Sequence, residues 1–175
     1  MKVLVTAFKP FNQNTNNYSK EVLNYINNVD KQVIDVIYDL CYQELTTKLD
    51  LNQYDLIIAM GEARKRNELT LEINAKNIAS CSLPDNNNEV KKDQLIDQNG
   101  DCELKTKVDV DKIKDLIIFS YDAGKFVCNN LYYHLLNNYP HKSLFIHIPE
   151  CFNDELHYLK HAKTIELLIQ KLGEK

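Results

Sequence analysis

The chain contains 175 residues, of which 44% are hydrophobic, so it is long enough to bury a core without help from a metal or a disulfide. Its 21 basic and 25 acidic residues give a formal net charge of −4, which argues against a nucleic-acid partner because such a partner needs a basic surface. No apolar run approaches the ~20 residues that cross a membrane, and the N-terminal apolar run is too short for a signal peptide. These features predict one domain over residues 1–175 in a cytoplasmic protein that has no membrane partner.

Short apolar runs alternate with amphipathic stretches, which is the pattern of a wound α/β sheet. Strands are predicted at residues 2–6, 33–38, 55–60, 116–120 and 143–148, and the run at 116–120 is expected to be buried. Helices are predicted at residues 19–28, 42–50, 109–114, 126–139 and 153–172, with Ser19 as the N-cap of the first. Residues 69–78 predict an edge or hairpin strand. Residues 84–101 predict one long irregular loop, a type of segment that often carries function.

Signals for a bound cofactor are missing from the sequence. The five cysteines are odd in number and include no CxxC pair, so neither a disulfide framework nor a structural metal is indicated. The sequence has no P-loop and no glycine-rich dinucleotide fingerprint, and it contains only four glycines. We therefore expect no metal and no organic cofactor.

Cys128 is the cysteine whose position suggests chemistry. It lies in the first turn of the helix predicted at 126–139, just after a strand and a glycine turn. The free N–H groups and the positive dipole end at a helix start favour the thiolate, and ligand sites of open α/β sheets lie beyond the carboxyl ends of strands. Cysteine is also common as a small buried hydrophobe, so position alone leaves both interpretations open.

His147 and Glu72 are polar residues inside apolar strand-like runs. A right-handed crossover from the 116–120 strand would place the 143–148 strand parallel and next to it, which brings His147 and Cys128 to the same edge of the sheet. A base within reach of a thiol is the arrangement that nucleophilic catalysis needs, and Glu72 is the candidate to orient the imidazole. A satisfied core histidine and an outward-facing charge on an edge strand are the alternatives.

Several segments in chain order carry a family resemblance. They are Thr6-Ala7-Phe8-Lys9-Pro10-Phe11, Gly61-Glu62-Ala63-Arg64-Lys65-Arg66, Glu72-Ile73-Asn74-Ala75-Lys76-Asn77, Pro84-Asp85-Asn86, Asp122-Ala123-Gly124-Lys125-Phe126-Val127-Cys128-Asn129 and Phe145-Ile146-His147-Ile148-Pro149. Together they resemble the pyroglutamyl peptidase I (pyrrolidone-carboxylate peptidase) family of cysteine peptidases over nearly the whole chain. The pair Phe-Val-Cys-Asn and Phe-Ile-His-Ile-Pro makes this resemblance specific.

The resemblance implies a fold, an activity and a set of site residues. The implied fold is a three-layer α/β/α sandwich with a twisted, mostly parallel mixed central sheet. The implied activity is removal of N-terminal pyroglutamyl residues from peptides through an acyl-enzyme, by a family whose members are often multimeric, so a homo-oligomer is possible. The family's triad falls on Glu72, Cys128 and His147. Its lactam-pocket positions fall on Phe8, Phe11, Phe126 and Val127.

The chain departs from the family pattern in two loops and at one arginine. Asn12-Gln13 and Arg64-Lys65 stand where the family has Gly-Gly, and both loops are expected to be reshaped because glycine permits φ > 0 and close backbone approach. Ser82 replaces an arginine near the oxyanion, a loss that can reduce the rate by ~10²–10³ unless Arg64 or Arg66 substitutes. The basic run 64–66 is either an anion site or a solvated loop. Two alternatives follow: the triad acts on another acyl or lactam substrate, or the chain is a catalytically silent paralogue that binds a small ligand.

Overall fold

A computed structural model describes residues 1–174 of the chain. Within these residues the strands are β1 (Val3–Phe8), β2 (Asp30–Ile34), β3 (Leu56–Glu62), β4 (Thr70–Glu72), β5 (Asn74–Lys76), β6 (Glu103–Lys105), β7 (Ile118–Ser120) and β8 (Ser143–Ile148). The α-helices are α1 (Tyr18–Tyr25), α2 (Leu40–Lys48), α3 (Val127–Asn138) and α4 (Glu155–Gly173). Two short 3₁₀ helices cover Leu51–Gln53 and Val110–Ile113, the second in place of the helix predicted at 109–114.

Six of the strands form the central sheet, in the order β2-β1-β3-β8-β4-β7. The four strands from β2 to β8 are parallel, β4 is antiparallel to β8, and β7 is parallel to β4. Strands β5 and β6 form a separate antiparallel pair. The sheet is therefore mixed and mostly parallel, which confirms the predicted fold class.

Helices cover both faces of the sheet because its central strands are apolar on both sides. Alternate residues such as Val5, Ile58 and Ile146 face α1 and α4, and the residues between them, such as Ile57 and Phe145, face α2 and α3. By the same alternation, Phe8 at the end of β1 and His147 near the end of β8 lie on the side of the sheet that α3 covers. No helix within residues 1–174 has both the length and the apolar character needed to cross a membrane.

The predicted adjacency of the last two strands is wrong. Strand β4 lies between β7 and β8, so β7 runs antiparallel to β8 and does not pair with it. Strand β7 is the edge of the sheet, with Ile118 53% exposed, although this run was expected to be buried. Strand β4 was expected at an edge or in a hairpin, but it is an interior strand with all three residues buried. Glu72 therefore points into the protein and not to solvent.

The irregular stretch predicted at 84–101 is present and is organised by two buried polar side chains. The amide of Asn77 accepts hydrogen bonds from the N–H groups of residues 96 and 97 and donates to the carbonyls of residues 97 and 100. The carboxylate of Asp85 accepts from the N–H groups of Tyr38, Asn87 and Glu89. These bonds satisfy backbone groups that a strand or helix would otherwise pair.

Candidate active site

The candidate site lies at the carboxyl ends of β1, β3 and β8, on the face of the sheet that α3 covers. Phe8 ends β1, Gly61 lies near the end of β3, and His147 lies near the end of β8. Gly61 and His147 are register partners in the parallel pair β3–β8. Helix α3 begins beside them and carries Cys128 as its second residue. This is the edge where open α/β sheets bind ligands.

His147 and Glu72 form the best-defined contact of the site. The Nδ1 atom of His147 lies 2.7 Å from Oε1 of Glu72, and both side chains are buried. The ring of Phe145 packs edge-on against the imidazole, with the centroids 5.0 Å apart. Because the carboxylate engages Nδ1, Nε2 is the nitrogen left for proton transfer.

Arg66 holds the carboxylate of Glu72 from the other side. Its Nη2 atom lies 2.6 Å from the same Oε1 and donates to the carbonyl of Asp122 at 2.9 Å, and Nη1 donates to Thr70 Oγ1 at 2.9 Å. Burial raises the pKa of the Glu72 carboxyl, but the hydrogen bond and charge of His147, together with Arg66, outweigh it and hold that pKa below its ordinary value. Glu72 is therefore ionised at neutral pH.

The Cys128 thiol packs against the neighbouring strand. A Cβ atom added at Gly61 would come within 2.6 Å of Cys128 Sγ and 3.0 Å of Phe145 Cζ, so glycine is needed for this close approach. Cys128 thus lies on the same face as His147 and next to its register partner. Within residues 1–174, however, no hydrogen bond joins the thiol to the imidazole. The structure therefore pairs Glu72 with His147 and leaves Cys128 beside them without that third contact.

The expected thiolate at the start of α3 is not what the surroundings favour. Burial raises the pKa of the Cys128 thiol to about 12, and the negative charges of Glu62 and Glu72 act in the same direction. The residue's own N–H group favours the thiolate, but its effect is smaller. The thiol is therefore protonated at neutral pH, and a base must take its proton before it can attack.

A small apolar pocket opens beside the thiol. Phe8, Phe11, Phe126 and Val127 all line it together with Cys128. Phe8 is buried, and the partly exposed rings of Phe11 and Phe126 pack on each other with centroids 5.7 Å apart. The aromatic contact is therefore between Phe11 and Phe126, and Phe8 forms the base of the pocket.

Two polar residues of this pocket, Asn17 and Glu62, were missed from the sequence. The side chain of Asn17 caps α1 by accepting from the N–H group of Ser19 and donates to the carbonyl of Lys9, so Ser19 is not the cap. Glu62 has a side chain only 3% exposed, and it accepts from the N–H group of Tyr18 and from Nε of Arg64, each at 3.0 Å. A carboxylate two residues after the apolar run at 55–60 was the signal for Glu62. Asn17 gave no signal beyond that of a helix cap.

The two loops that lack the family's glycines differ in their backbones. Asn12 and Gln13 take φ values of 51° and 60°, so the first loop keeps a left-handed backbone without glycine. Arg64 and Lys65 do not have positive φ. In the second loop, both arginines of the basic run are paired with buried carboxylates, Arg64 with Glu62 and Arg66 with Glu72. Within residues 1–174, no group of His, Cys, Asp and Glu side chains is arranged to hold a metal ion.

Comparisons with known proteins agree on one family. The family model described as pyroglutamyl peptidase matches residues 1–164. The pyrrolidone-carboxylate peptidase of Brachyspira hyodysenteriae is 31% identical over 167 aligned residues, which cover 85% of this chain and 83% of that protein. The enzyme of the same name from Thermoanaerobacter sp. is 35% identical over 168, with 85% and 82% covered. The crystal structure of pyrrolidone carboxyl peptidase from Fervidobacterium islandicum matches with a TM-score of 0.86 at 25% identity, covering 98% of each chain.

Proposed function

The chain belongs to the pyroglutamyl peptidase family, and on this premise we propose that it removes N-terminal pyroglutamyl residues from peptides in the cytoplasm. The proposed nucleophile is Cys128, the proposed base is His147, and Glu72 orients that base. The substrate follows from the activity for which the related proteins are named. The five cysteines are free thiols, which suits the reducing conditions that a thiol nucleophile needs.

The reaction begins with proton transfer from Cys128 to Nε2 of His147. The sulfur then attacks the carbonyl carbon of the pyroglutamyl residue, forming a C–S bond and a tetrahedral oxyanion. The imidazolium returns the proton to the leaving amine as the C–N bond breaks, which leaves a thioester acyl-enzyme. A water molecule, deprotonated by His147, hydrolyses the thioester and releases pyroglutamate and the free thiol.

One observation carries this proposal: a buried, oriented imidazole–carboxylate pair lies beside a thiol at the ligand-binding edge of the sheet. The carboxylate fixes Nδ1–H and stabilises the imidazolium that forms when the thiol gives up its proton. Because the thiol is protonated at neutral pH, His147 acts as a general base at the moment of attack. A side-chain movement that brings Nε2 within reach of Sγ completes the triad.

The pocket suits the ring of the substrate. A pyroglutamyl ring is small, flat and uncharged, and the walls formed by Phe11, Phe126 and Val127 match its apolar edge. Its lactam N–H needs an acceptor once it is desolvated. The carboxylate of Glu62 still has free lone pairs after accepting from Tyr18 and Arg64, and we assign it that role.

Backbone groups at the start of α3 are the proposed donors to the oxyanion. The N–H groups of residues 127–129 precede the first intrahelical bond, from Asn130 to the carbonyl of Phe126 at 3.1 Å. Phe126 is the N-cap and offers no side-chain acceptor to them. A developing negative charge on the carbonyl oxygen therefore meets N–H groups to which no carbonyl of residues 1–174 is bonded, and the positive end of the helix dipole.

The test is release of a fluorescent amine from a pyroglutamyl amide. Wild-type protein is expected to release it, Cys128→Ser to lose at least ~10³ of kcat, and Cys102→Ser, which changes an exposed thiol, to match wild type. Wild-type release no faster than that of Cys128→Ser would overturn the proposal. Binding of free pyroglutamate without turnover would then favour the silent ligand-binding paralogue.

A further inference from the structure

A second cavity adjoins the small apolar pocket beside Cys128, which we call the acyl pocket. It lies between the 11–14 loop that follows β1 and the 62–66 loop that follows β3, with Leu83 on a third side, and we call it the basic groove. The basic groove shares Phe11 and Glu62 with the acyl pocket, so it begins at the pocket's mouth. We expect the peptide that follows a bound pyroglutamyl residue to extend along this groove, because the groove adjoins the pocket.

The walls of the basic groove include side chains that the family pattern replaces with glycine. Asn12 contributes on one side, and Arg64 and Lys65 contribute on the other. These side chains give this chain polar groups at positions where the pattern offers only backbone.

Arg64 is held in place with part of its guanidinium free. Its Nε atom donates to Glu62 at 3.0 Å, and its guanidinium carbon lies 4.6 Å from the ring centroid of Tyr18. In the part of the chain that the structure describes, its two Nη groups have no hydrogen-bond partner. A guanidinium anchored through Nε presents the Nη pair as a fork that matches the two oxygens of a carboxylate.

One basic side chain of the groove stays outside its ion pairs. Glu62 pairs with Arg64, on which the charge of Glu150 also acts, and Glu72 pairs with Arg66. Lys65 is exposed and makes no ion pair with any carboxylate of residues 1–174. An anion that enters the groove therefore meets the Lys65 ammonium together with the free edge of Arg64.

We propose that the basic groove binds a carboxylate of the leaving peptide, so that the enzyme prefers pyroglutamyl substrates with an acidic group near the scissile bond. This inference rests on the proposed function. The carboxylate has two possible sources, the side chain of an acidic residue after the pyroglutamate or the free C-terminus of a short peptide. Both present the same pair of oxygens to Arg64 and Lys65.

The experiment measures kcat/KM for matched substrates that differ by one charge. Pyroglutamyl-Glu-Ala-amide against pyroglutamyl-Gln-Ala-amide tests an acidic side chain, and pyroglutamyl-Ala-Ala against its C-terminal amide tests a terminal carboxylate. In at least one pair the acidic substrate is expected to be preferred by about tenfold at low salt, and the preference should shrink in about 1 M salt. Which pair responds identifies the source of the carboxylate.

Two variants assign the preference to the groove. Lys65→Gln removes the free charge, and Arg64→Lys keeps a charge but removes the fork. Each is expected to reduce the preference to about threefold or less. The ratio of the two substrates is the readout because it cancels any effect on the chemical step. Lys163→Gln, on the exposed face of α4, is the control and should keep the wild-type ratio.

Equal rates for both pairs in wild type, or a preference that both groove variants retain, would overturn the inference while leaving the proposed function intact. Failure of the proposed function would appear instead as no turnover of any pyroglutamyl substrate. In that event, binding of the same four peptides to Cys128→Ala by calorimetry decides the question. A preference for the acidic peptides supports the groove, and equal affinities overturn it.

Discussion

The base and the nucleophile of the proposed site lie side by side but are prepared to different degrees. The imidazole of His147 is bound to Glu72, which is itself bound to Arg66, so the base is oriented in the folded protein. The Cys128 thiol packs against Gly61 and has no hydrogen bond to that imidazole within residues 1–174. Its pKa of about 12 reflects burial first and then the charges of Glu62 and Glu72. Glu72, which orients the base, thus also helps to keep the thiol neutral, together with burial and the charge of Glu62, so the nucleophile forms only when the base reaches it.

The largest expected effect on activity comes from removing the carboxylate that orients the base. Glu72→Gln removes the charge that stabilises the imidazolium and allows an amide N–H to face Nδ1, which permits the wrong tautomer. We expect kcat on a pyroglutamyl amide to fall by about 10²–10⁴, with a smaller change in KM. Glu68→Gln, an exposed carboxylate just before β4, is the matched control and should retain wild-type kcat. If Glu72→Gln keeps near-normal kcat while folded by circular dichroism, then Glu72 does not orient the base.

The next effect comes from the residue that holds this carboxylate. Arg66 joins Glu72, Thr70 and the carbonyl of Asp122, and Asp122 begins the turn that leads to Cys128. Arg66→Met should therefore disturb the positions of both the base and Cys128. We expect kcat on an amide with a neutral leaving group to fall by about 10–100-fold. Arg66→Lys keeps the charge but cannot reach all three acceptors, so its kcat should lie between that of wild type and that of Arg66→Met. Equal kcat for Lys, Met and wild type would exclude a positioning role.

The charge of Arg66 also leads us to expect a change in the pH dependence of stability, which a purely steric role would not cause. The folded-state pKa of Glu72 lies below its unfolded value, so Glu72 stabilises the fold above that unfolded value, and the contribution disappears as pH falls through the folded pKa. Removing Arg66 raises the folded pKa, so Arg66→Met should lose stability at a higher pH than wild type. Urea unfolding across the acidic range measures this shift, and superimposable acid limbs would contradict it.

A fourth prediction concerns the close packing of Gly61, the register partner of His147, against Cys128. Gly61→Ala places a Cβ atom 2.6 Å from Cys128 Sγ and 3.0 Å from Phe145 Cζ. Because neither neighbour can move away freely in the core, we expect a loss of about 1–3 kcal/mol in the free energy of unfolding and reduced activity. Gly173→Ala is the matched control, since its nearest contact is the flexible side chain of Met1 at 3.3 Å. Equal stability for the two variants would show that the packing at Gly61 tolerates a methyl group.

The sequence supports the prediction of single elements and single residues better than the order of strands. The predicted strand at 143–148 matches β8 because its apolar run is long and its turns are clear. His147 could be predicted because it is a polar residue in an apolar strand, and Cys128 because it is a cysteine at the start of a helix. Strand β4 has only three residues, so its pattern was too short to reveal that it separates β7 from β8.

The electrostatics of the thiol were also beyond the sequence. The N–H group at the helix start does favour the thiolate, but larger opposing effects raise the pKa of Cys128 to about 12. The causes that decide the pKa of the thiol are its desolvation by the surrounding side chains and the charge of Glu62, which reaches the pocket from the end of β3. Both depend on how distant segments pack, and the sequence near residue 128 indicates neither.

The smallest predicted effect tests that reversal directly. Glu62→Gln removes a negative charge beside Cys128, so the pKa of the thiol should fall and iodoacetamide should alkylate it roughly fivefold faster at about pH 8. Glu68→Gln makes the same charge change away from the pocket and should leave the rate unchanged. In wild type, the rate should keep rising with pH well past neutrality because the pKa lies near 12.

Glu62→Gln also removes the acceptor assigned to the lactam N–H, so its KM for a pyroglutamyl amide should rise while its thiol becomes more reactive. A more reactive thiol with an unchanged KM would leave Glu62 as a charge beside the nucleophile and take away its role in substrate binding.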